Sequence, residues 1–315
     1  MAQARGRKAQ LLMDFETAFR TAPGSPAAIL MPFISVDLKA TRPRSASPVV
    51  RNNRNPAMPV SGRMDVSGNI VVPIDAIGFG YWLKAMFGAP VTTGAEAPYT
   101  HTFKLGDTSP SVLFDKGFTD LAEYYKYLGC KIGSMSIGFG GDGQLQATFT
   151  IMGAEEVPSG SPYSATPTTF ALTPFEHKHI NFKEAGADFD PGTSLKLDVN
   201  FNLDGNQYGM NDAGVRQDIP EGIAGVNGSL STIFSSDALI TKAINDTETT
   251  LALTLTNGAN SLAFTLPEVL LTHTTPPIPG PQGVMLDLSY EAYYQDGADA
   301  TALKAVLINS QASYA

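Results

Sequence analysis

Two histidines are the first residues whose types and spacing could support chemistry. His177 and His179 are separated by one residue. In a strand predicted over residues 170–182, both would therefore lie on the same face, as two metal ligands would. No third ligand follows at a defined spacing, and protein metal sites generally need three or four. The pattern favours an exposed polar face over a metal site.

Two glycine-rich segments share only part of the pattern of ligand-binding loops. Residues 204–209 are similar to a calcium loop, but Tyr208 stands where an oxygen ligand is needed and no glutamate closes the loop. Residues 138–143 contain enough glycine to cradle a phosphate, but they lack the required Lys and Ser/Thr and lie between two predicted strands. We predict a turn at the first segment and a β-hairpin at the second.

No catalytic set can be assembled from the spacing of the polar residues. The sequence offers no Ser–His–Asp, Cys–His or paired-carboxylate arrangement of the kind that an enzyme needs. The one cysteine, Cys130, cannot form an intrachain disulfide or a cysteine-based metal site, and we expect it to be a small buried apolar residue. We therefore predict no enzyme activity, no catalytic residue, no metal and no cofactor.

The charge is unevenly distributed along the 315 residues. The net charge is −9, but residues 1–54 contain nine Lys and Arg against three Asp and Glu, and the remainder contains 12 against 27. An acidic body excludes tight DNA binding over most of the surface, because such binding neutralises phosphates with Lys and Arg. The charged fraction of 16% is below the usual ~25%, which predicts extensive surface in contacts or turns.

Neither a secretion signal nor a membrane span is indicated. The apolar stretch after Met1 is interrupted by Asp14 and Glu16, which is not typical of a signal peptide. No run of about 20 apolar residues could span a bilayer. We expect a soluble chain that is made in the cytoplasm and has no membrane partner.

The residue pattern predicts a chain that is mainly β. A short amphipathic helix is indicated over residues 8–20 by apolar residues at helical spacing. A strand follows over 29–40, and the four prolines in residues 41–59 predict a long loop. After a strand over 62–72, Asp75 is a plausible N-cap for a helix that ends at Phe87.

The rest of the chain is predicted to contain one more helix and a further series of strands. Apolar residues cover more than one face of the helix that follows Asp75, which predicts packing on both of its sides. A second helix is predicted from Asp237 to Ile244, and the segment 153–168 forms a boundary. The remaining predicted strands cover residues 99–105, 111–115, 131–139, 144–152, 170–182, 194–203, 222–234, 249–256, 261–266, 284–294 and 302–308.

A pair of glycines recurs at a fixed offset and indicates an internal duplication. Gly62 and Gly68 in the first half match Gly222 and Gly228 in the second, each at an offset of 160. Both pairs follow a proline-containing loop that carries Arg and precede a predicted helix. Each glycine could also serve singly, as a bulge or a point of close backbone approach. The shared order of elements favours duplication.

Seven segments in this order resemble the major tail tube protein of long-tailed bacteriophages. Each motif is short, so the order in which they occur carries the resemblance, which covers nearly the whole chain. The segments are residues 15–23, 62–70, 83–88, 99–103, 127–132, 220–230 and 280–284.

The resemblance implies an architecture. Each tube module is a β-sandwich or half-barrel with one flanking α-helix, and six modules per ring complete an intermolecular β-barrel. A chain with two tandem modules would then form rings of three copies, with pseudo-sixfold symmetry. The expected organisation is an N-terminal arm (1–27), a first module (28–157), a linker (158–168) and a second module (169–315).

The resemblance also implies partners and a location. The chain would polymerise with itself in the virion tail, contact the tape measure, tail terminator and distal tail proteins, and let DNA pass without binding it specifically. It would be made and assembled in the host cytoplasm. The basic residues expected to reach an adjacent ring are Arg42, Arg44, Arg51, Arg54 and Arg216.

Two other classes of function stay open at this point. A β-rich binding or adhesion module that recognises a host glycan would carry aromatic residues on an exposed loop, but residues 204–220 contain one Tyr and no Trp. An enzyme such as a β-rich hydrolase is disfavoured because the acid and base groups are missing.

Overall fold

Alternation of apolar and polar residues builds most of this chain into antiparallel strands, as in residues 249–257, where every second side chain is buried. The computed structural model describes residues 3–211 and 213–314. The strands are β1 Ala9–Phe15, β2 Ile29–Leu30, β3 Ser35–Val36, β4 Lys39–Thr41, β5 Arg44–Ser45, β6 Val60–Ser61, β7 Asp65–Pro73, β8 Val91–Thr93, β9 Tyr99–Lys104, β10 Val112–Phe118, β11 Glu123–Phe139, β12 Gln146–Gly153, β13 Glu155–Ser159, β14 Ile180–Glu184, β15 Ala187–Asp188, β16 Gly192–Asn200, β17 Gly225–Ile233, β18 Thr249–Asn257, β19 Asn260–Leu271, β20 Met285–Tyr293 and β21 Lys304–Asn309.

Eight strand positions form one continuous antiparallel sheet. Its order is β3 and β4 (end to end on one neighbour), β7, β12, the C-terminal half of β11, β16, β17, β20 and the C-terminal half of β19. The first four positions come from the first half of the chain and the last four from the second half. The pairing of β11 with β16 joins the two sets.

Strands β11 and β19 each belong to two layers. In β11, residues 123–128 pair with β10 and β13, whereas residues 131–139 pair with β12 and β16. Gly129, with a φ of 60°, lies between the two portions and supplies a backbone conformation that other residues adopt at a cost. In β19 the N-terminal portion pairs with β18 and β21, and the C-terminal portion with β20. Each half of the chain therefore contains a two-layered β structure built around one shared strand. The halves also meet in the second layer, where β9 of the first half pairs with β21 of the second.

The helix α1, Gly78–Phe87, fills the space between the layers of the first half. The Asp75 carboxylate accepts hydrogen bonds from the backbone N–H groups of Ile77 (3.0 Å) and Gly78 (2.7 Å). Asp75 thus stabilises the start of the helix, but from two residues before the N-cap, which is Ile77. Trp82 stacks between two phenylalanine rings, with centroid distances of 5.6 and 4.5 Å. Eight of the ten helix residues are buried, which confirms packing on more than one side. The second helix, α2, is Ala238–Ile244.

The predicted helix over residues 8–20 is wrong, because residues 9–15 form β1. This strand lies between β2 and β10, and the side chains of Leu11, Leu12 and Met13 are fully buried. A strand that is covered on both faces has consecutive apolar residues, which resemble helical spacing. Much of the segment predicted as an N-terminal arm is thus part of the chain's own sheet.

Two further predictions of secondary structure are wrong in part. The strand predicted over 29–40 is broken into the short strands β2, β3 and part of β4. The strand predicted over 170–182 is observed only as β14 from residue 180, preceded by a 3-10 turn at His177–His179. Pro174 removes a backbone donor from this region. Asp237 precedes α2 but makes no side-chain capping hydrogen bond.

The remaining strand predictions are confirmed with shifted ends, and the two halves share an order of elements. Strands β7 and β17 have nine residues each and start 160 positions apart. The helices α1 and α2 also start 160 positions apart. A Cβ atom on Gly68 would collide with the backbone of Asp37, and one on Gly228 with the backbone of Lys196. Both glycines therefore permit close approach of the neighbouring strand, at the same place in each half.

Candidate functional site

The outward face of the eight-stranded sheet carries short polar side chains. Along each strand these residues alternate with buried apolar ones, and the strand registers place them in rows that cross the whole sheet. We call this surface the polar face. Its residues are Ser35, Asp37, Lys39, Thr41, Asp65, Ser67, Asn69, Val71, Ser134, Ser136, Gly138, Gln146, Thr148, Thr150, Met152, Ser194, Lys196, Asp198, Asn200, Asn227, Ser229, Ser231, Met285, Asp287, Ser289 and Glu291.

The polar face has few positive charges, and those are neutralised. It holds five carboxylates and two lysines. Because Arg216 binds one of these carboxylates, that of Asp65, the excess is two negative charges. Lys39 lies 3.4 Å from the Asp37 carboxylate, and Lys196 lies 2.7 Å from that of Asp198. The charges left without a lysine are therefore acidic. A surface of hydroxyl and amide groups with a negative excess offers no cluster of cations for phosphate groups.

The five predicted arginines fall into two groups. Arg42, Arg44, Arg51 and Arg54 are exposed in or next to the loop between β4 and β6. Arg42 donates a hydrogen bond to the Ala213 carbonyl of the same chain (3.1 Å). The loop also exposes large apolar side chains, with Val50 97% and Met58 87% accessible. Exposed apolar groups beside basic ones are typical of an interaction surface.

Arg216 is buried and does not fit the prediction of a contact with another ring. Its guanidinium donates to the carbonyl oxygens of Gly205 and Gly153 (2.7 Å each) and binds the Asp65 carboxylate. Only 6% of the residue is exposed. These contacts attach the 204–220 loop of the second half to β7 and β12 of the first half. The hydrogen-bond donors of the guanidinium are therefore bonded within the same chain.

Tyr208 strengthens the same attachment. Two guanidinium groups lie over its ring, that of Arg63 at 4.6 Å and that of Arg216 at 5.4 Å from the ring centroid, distances typical of cation–π contacts. Its hydroxyl donates to the Met64 carbonyl (3.0 Å). The only aromatic ring of this loop is therefore occupied by its own chain, which gives no support to glycan recognition there.

The other candidate residues have structural roles. His177 lies in the 3-10 turn, not on a strand, and its Nδ1 accepts a hydrogen bond from the Gly141 N–H (3.0 Å). His179 accepts one from the Glu176 N–H (3.0 Å), so the predicted shared strand face is wrong. Asp204 accepts bonds from the next residues of its loop, which confirms the turn. The β11–β12 connection is a hairpin as predicted.

Several ionisable groups are buried in the core, and the sequence predicts the burial of only one of them, Cys130. Burial raises the pKa values of Glu16, Asp115 and Cys130, and the burial of Cys130 is as predicted. The Glu16 carboxylate accepts hydrogen bonds from the Gly129 N–H and the Arg20 N–H (2.9 Å each), so it holds the bend of β11. Their positions depend on long-range contacts, for which the local sequence carries no signal.

The described residues contain neither a metal cluster nor a membrane helix. Within residues 3–211 and 213–314, no group of three or more His, Cys, Asp or Glu side chains could hold a metal ion. In the same residues no helix has the length and hydropathy needed to cross a membrane.

The fold and its surfaces define a mainly β structural protein with a large antiparallel sheet, whose distinctive features are a smooth polar face and an exposed basic loop. A family model described as "Phage tail tube protein" matches residues 6–292. The chain belongs to this phage tail tube protein family. It is therefore a structural component of a phage tail, which assembles with itself and with other tail proteins. A search of curated proteins finds no match.

Replacing Arg216 by Met should destabilise the folded chain. The change removes charged hydrogen bonds to two carbonyl groups and one half-exposed carboxylate, for which we expect a loss of about 1–3 kcal/mol in the free energy of unfolding. Urea unfolding followed by circular dichroism measures it. Exposed Arg51→Met is the matched control and should change stability by less than about 0.5 kcal/mol. Equal midpoints for the two variants would contradict the anchoring role.

Proposed function

We propose that this chain consists of two tandem tube modules and that three copies form each ring of a phage tail tube. The observation that carries the proposal is the eight-stranded sheet. In it, β3/β4, β7, β12 and β11 are followed in the same order by β16, β17, β20 and β19. A set of four strands is repeated within one chain, and the joint between the two sets is an ordinary strand pairing.

The repeat extends beyond the eight-stranded sheet. In both sets the shared strand continues into the other layer, where β10 and β13 flank β11, and β18 and β21 flank β19. The helices follow β7 and β17 at the same offset. We keep residues 28–157 and 169–315 as the proposed modules and add β1 to the first of them, because β1 pairs with β10 as β14 pairs with β18. The 158–168 linker is itself fixed, since Tyr163 donates to the Asp14 carboxylate (3.0 Å).

Ring closure would remove the free edges of this sheet. Three copies of an eight-stranded sheet supply 24 strands. At a strand spacing of about 4.8 Å, 24 strands give a backbone diameter of roughly 37 Å without tilt and roughly 48 Å at a tilt of about 40°. Such a barrel is wider than a DNA double helix. Three two-module chains therefore enclose a channel of suitable size.

We place the polar face on the inside of that channel. Its opposite side is covered by the core, so it is the side of the sheet that is free to meet the genome. The carboxylates of this face repel phosphate weakly, and its short hydroxyl and amide groups offer no cationic site that would bind phosphate. DNA would then pass during ejection without specific binding.

The exposed loop between β4 and β6 is proposed to contact an adjacent ring. Its arginines lie beside exposed Val50 and Met58, and the rest of the chain is acidic. The contacts with tape measure, tail terminator and distal tail proteins, and assembly in the host cytoplasm, are proposed from family membership.

Electron microscopy tests the central proposal. Purified protein or virion tails should show rings or tubes in which each layer has a pseudo-sixfold outline and contains three chains. Native mass spectrometry of released rings provides an independent count. Layers of six chains would overturn the two-module arrangement, and a protein that never forms rings would overturn the proposed role itself.

Reversing the charge of the loop should block stacking. Changing Arg44, Arg51 and Arg54 to Glu removes attraction to an acidic neighbour, and we expect tubes to be at least about tenfold rarer while the monomer melts normally. Arg42 is left intact because it bonds to its own chain. The control reverses Lys8, Lys178 and Lys183, which are also exposed. Tubes of normal number and length in the loop variant would exclude the ring contact.

Positive charge on the polar face should slow DNA ejection. Ser136→Arg with Ser229→Arg would place six added cations per three-chain ring against the phosphates. We expect ejection to slow by at least about tenfold at low salt and to recover as salt rises. Dye-based ejection assays on virions measure the rate. Thr256→Arg with Ala259→Arg, exposed on the other layer, is the control, and equal rates in both variants would exclude the face from the channel.

A further inference from the structure

The joint between the two four-strand sets is the antiparallel pairing of β11 with β16. Its register places Ser134 opposite Asn200, Met135 opposite Val199 and Ser136 opposite Asp198. The Phe201 N–H donates to the Gly133 carbonyl (2.9 Å) and extends the pairing by one step. If the chain repeats one module, the same joint should exist between its two outer edges.

The first outer edge is β4. Thr41 lies opposite Asp65 on β7, as Asn200 lies opposite Gly225 on β17, and Asp65 and Gly225 are 160 positions apart. Thr41 is thus the counterpart of Asn200. Apart from β7, no strand of the described residues pairs with β4. The next carbonyl inward, that of Leu38, accepts side-chain bonds from Lys116 (2.6 Å) and Tyr127 (3.2 Å), so residues 39–41 form the open edge.

The second outer edge continues β19. The Thr272 N–H donates to the Ser289 carbonyl on β20 (2.8 Å). Ser289 lies opposite Ser229 on β17, as Thr150 lies opposite Asn69 on β7. Since Asn69 and Ser229 differ by 160, Ser289 corresponds to Thr150, whose partner on β11 is Ser134. Thr272 is therefore the counterpart of Ser134.

We propose that residues 272–274 of one copy pair antiparallel with residues 39–41 of the next copy, with Thr272 opposite Thr41, His273 opposite Ala40 and Thr274 opposite Lys39. This inference rests on the proposed three-chain ring. It identifies a second copy of this chain as the occupant of each edge, because the in-chain joint already shows how one edge receives the other.

The side chains agree with this register. Lys39 and Thr41 lie on the polar face, as do Ser134 and Ser136, the counterparts of Thr272 and Thr274. The pairing therefore continues the polar face without a one-residue slip, which would turn every side chain to the wrong side. Residues 272–275 are exposed in the single chain. Pro276 and Pro277 then follow and limit the strand, because proline cannot donate to a ladder.

The contact is heterologous, since different edges of the two copies meet. A heterologous contact closes into a ring when its rotation permits, and otherwise gives an open filament. The same joint inside the chain relates modules that we propose to be successive sixths of one ring. Its repetition between copies therefore closes after three chains.

Paired cysteines test the register. Lys39→Cys with Thr274→Cys should give disulfide-linked dimers and trimers when assembled tubes are oxidised, because opposite residues of an antiparallel pair lie within disulfide range. Cys130 is buried and does not interfere. The ladder on a non-reducing gel should end at three chains. Products longer than three would show that the contact links rings to one another, and would overturn the proposal.

The control is Lys39→Cys with His273→Cys, whose side chains point to opposite faces and should cross-link at least about tenfold less. Hydrogen exchange of the unmodified protein is the second measurement. Amides in residues 39–41 and 272–274 should exchange at least about tenfold more slowly in tubes than in free chains. Three-chain rings that show neither the cross-link nor the protection overturn the joint alone, whereas the absence of rings overturns the proposed function.

Discussion

The architecture depends on the hydrogen bonding of β11, a strand that must satisfy neighbours in two layers. Its first portion pairs with β10 and β13 and its second with β12 and β16. The change of layer occurs at Gly129, whose N–H is held by the buried Glu16 carboxylate. Because β11 also carries the joint to β16, the bend fixes how the two halves of the chain continue one another.

An antiparallel sheet with two open edges is a liability in an isolated protein, since unpaired backbone groups invite association. In this chain the edges are short: one is at residues 39–41, and the other is at the end of β19, five residues before Pro276. Inside the chain, two edges of this kind, β11 and β16, pair with each other by antiparallel hydrogen bonds. The same pairing that joins the halves thus offers a physical basis for assembly by a member of the tail tube family.

The absence of strong binding groups is itself a property of the polar face. Its lysines are neutralised by neighbouring aspartates, and the remaining side chains are mainly short and uncharged or acidic. Of the five arginines expected at a ring contact, four lie in or next to the exposed loop and Arg216 lies inside the chain. The exposed basic groups of the loop are thus kept apart from the polar face, as the proposed channel wall and the proposed ring contact would require.

The sequence by itself determined the mainly β fold, the helix that follows Asp75, the absence of a recognisable catalytic set and the recurrence of glycines at an offset of 160, because these depend on local pattern and composition. It could not determine that residues 9–15 are a strand, since a run buried on both faces has no alternation to reveal it. Only the tertiary structure showed that Arg216 is internal and that polar residues from seven of the eight strand positions share one face. Those properties arise from contacts between residues far apart in the chain, and local sequence patterns carry no information about such contacts.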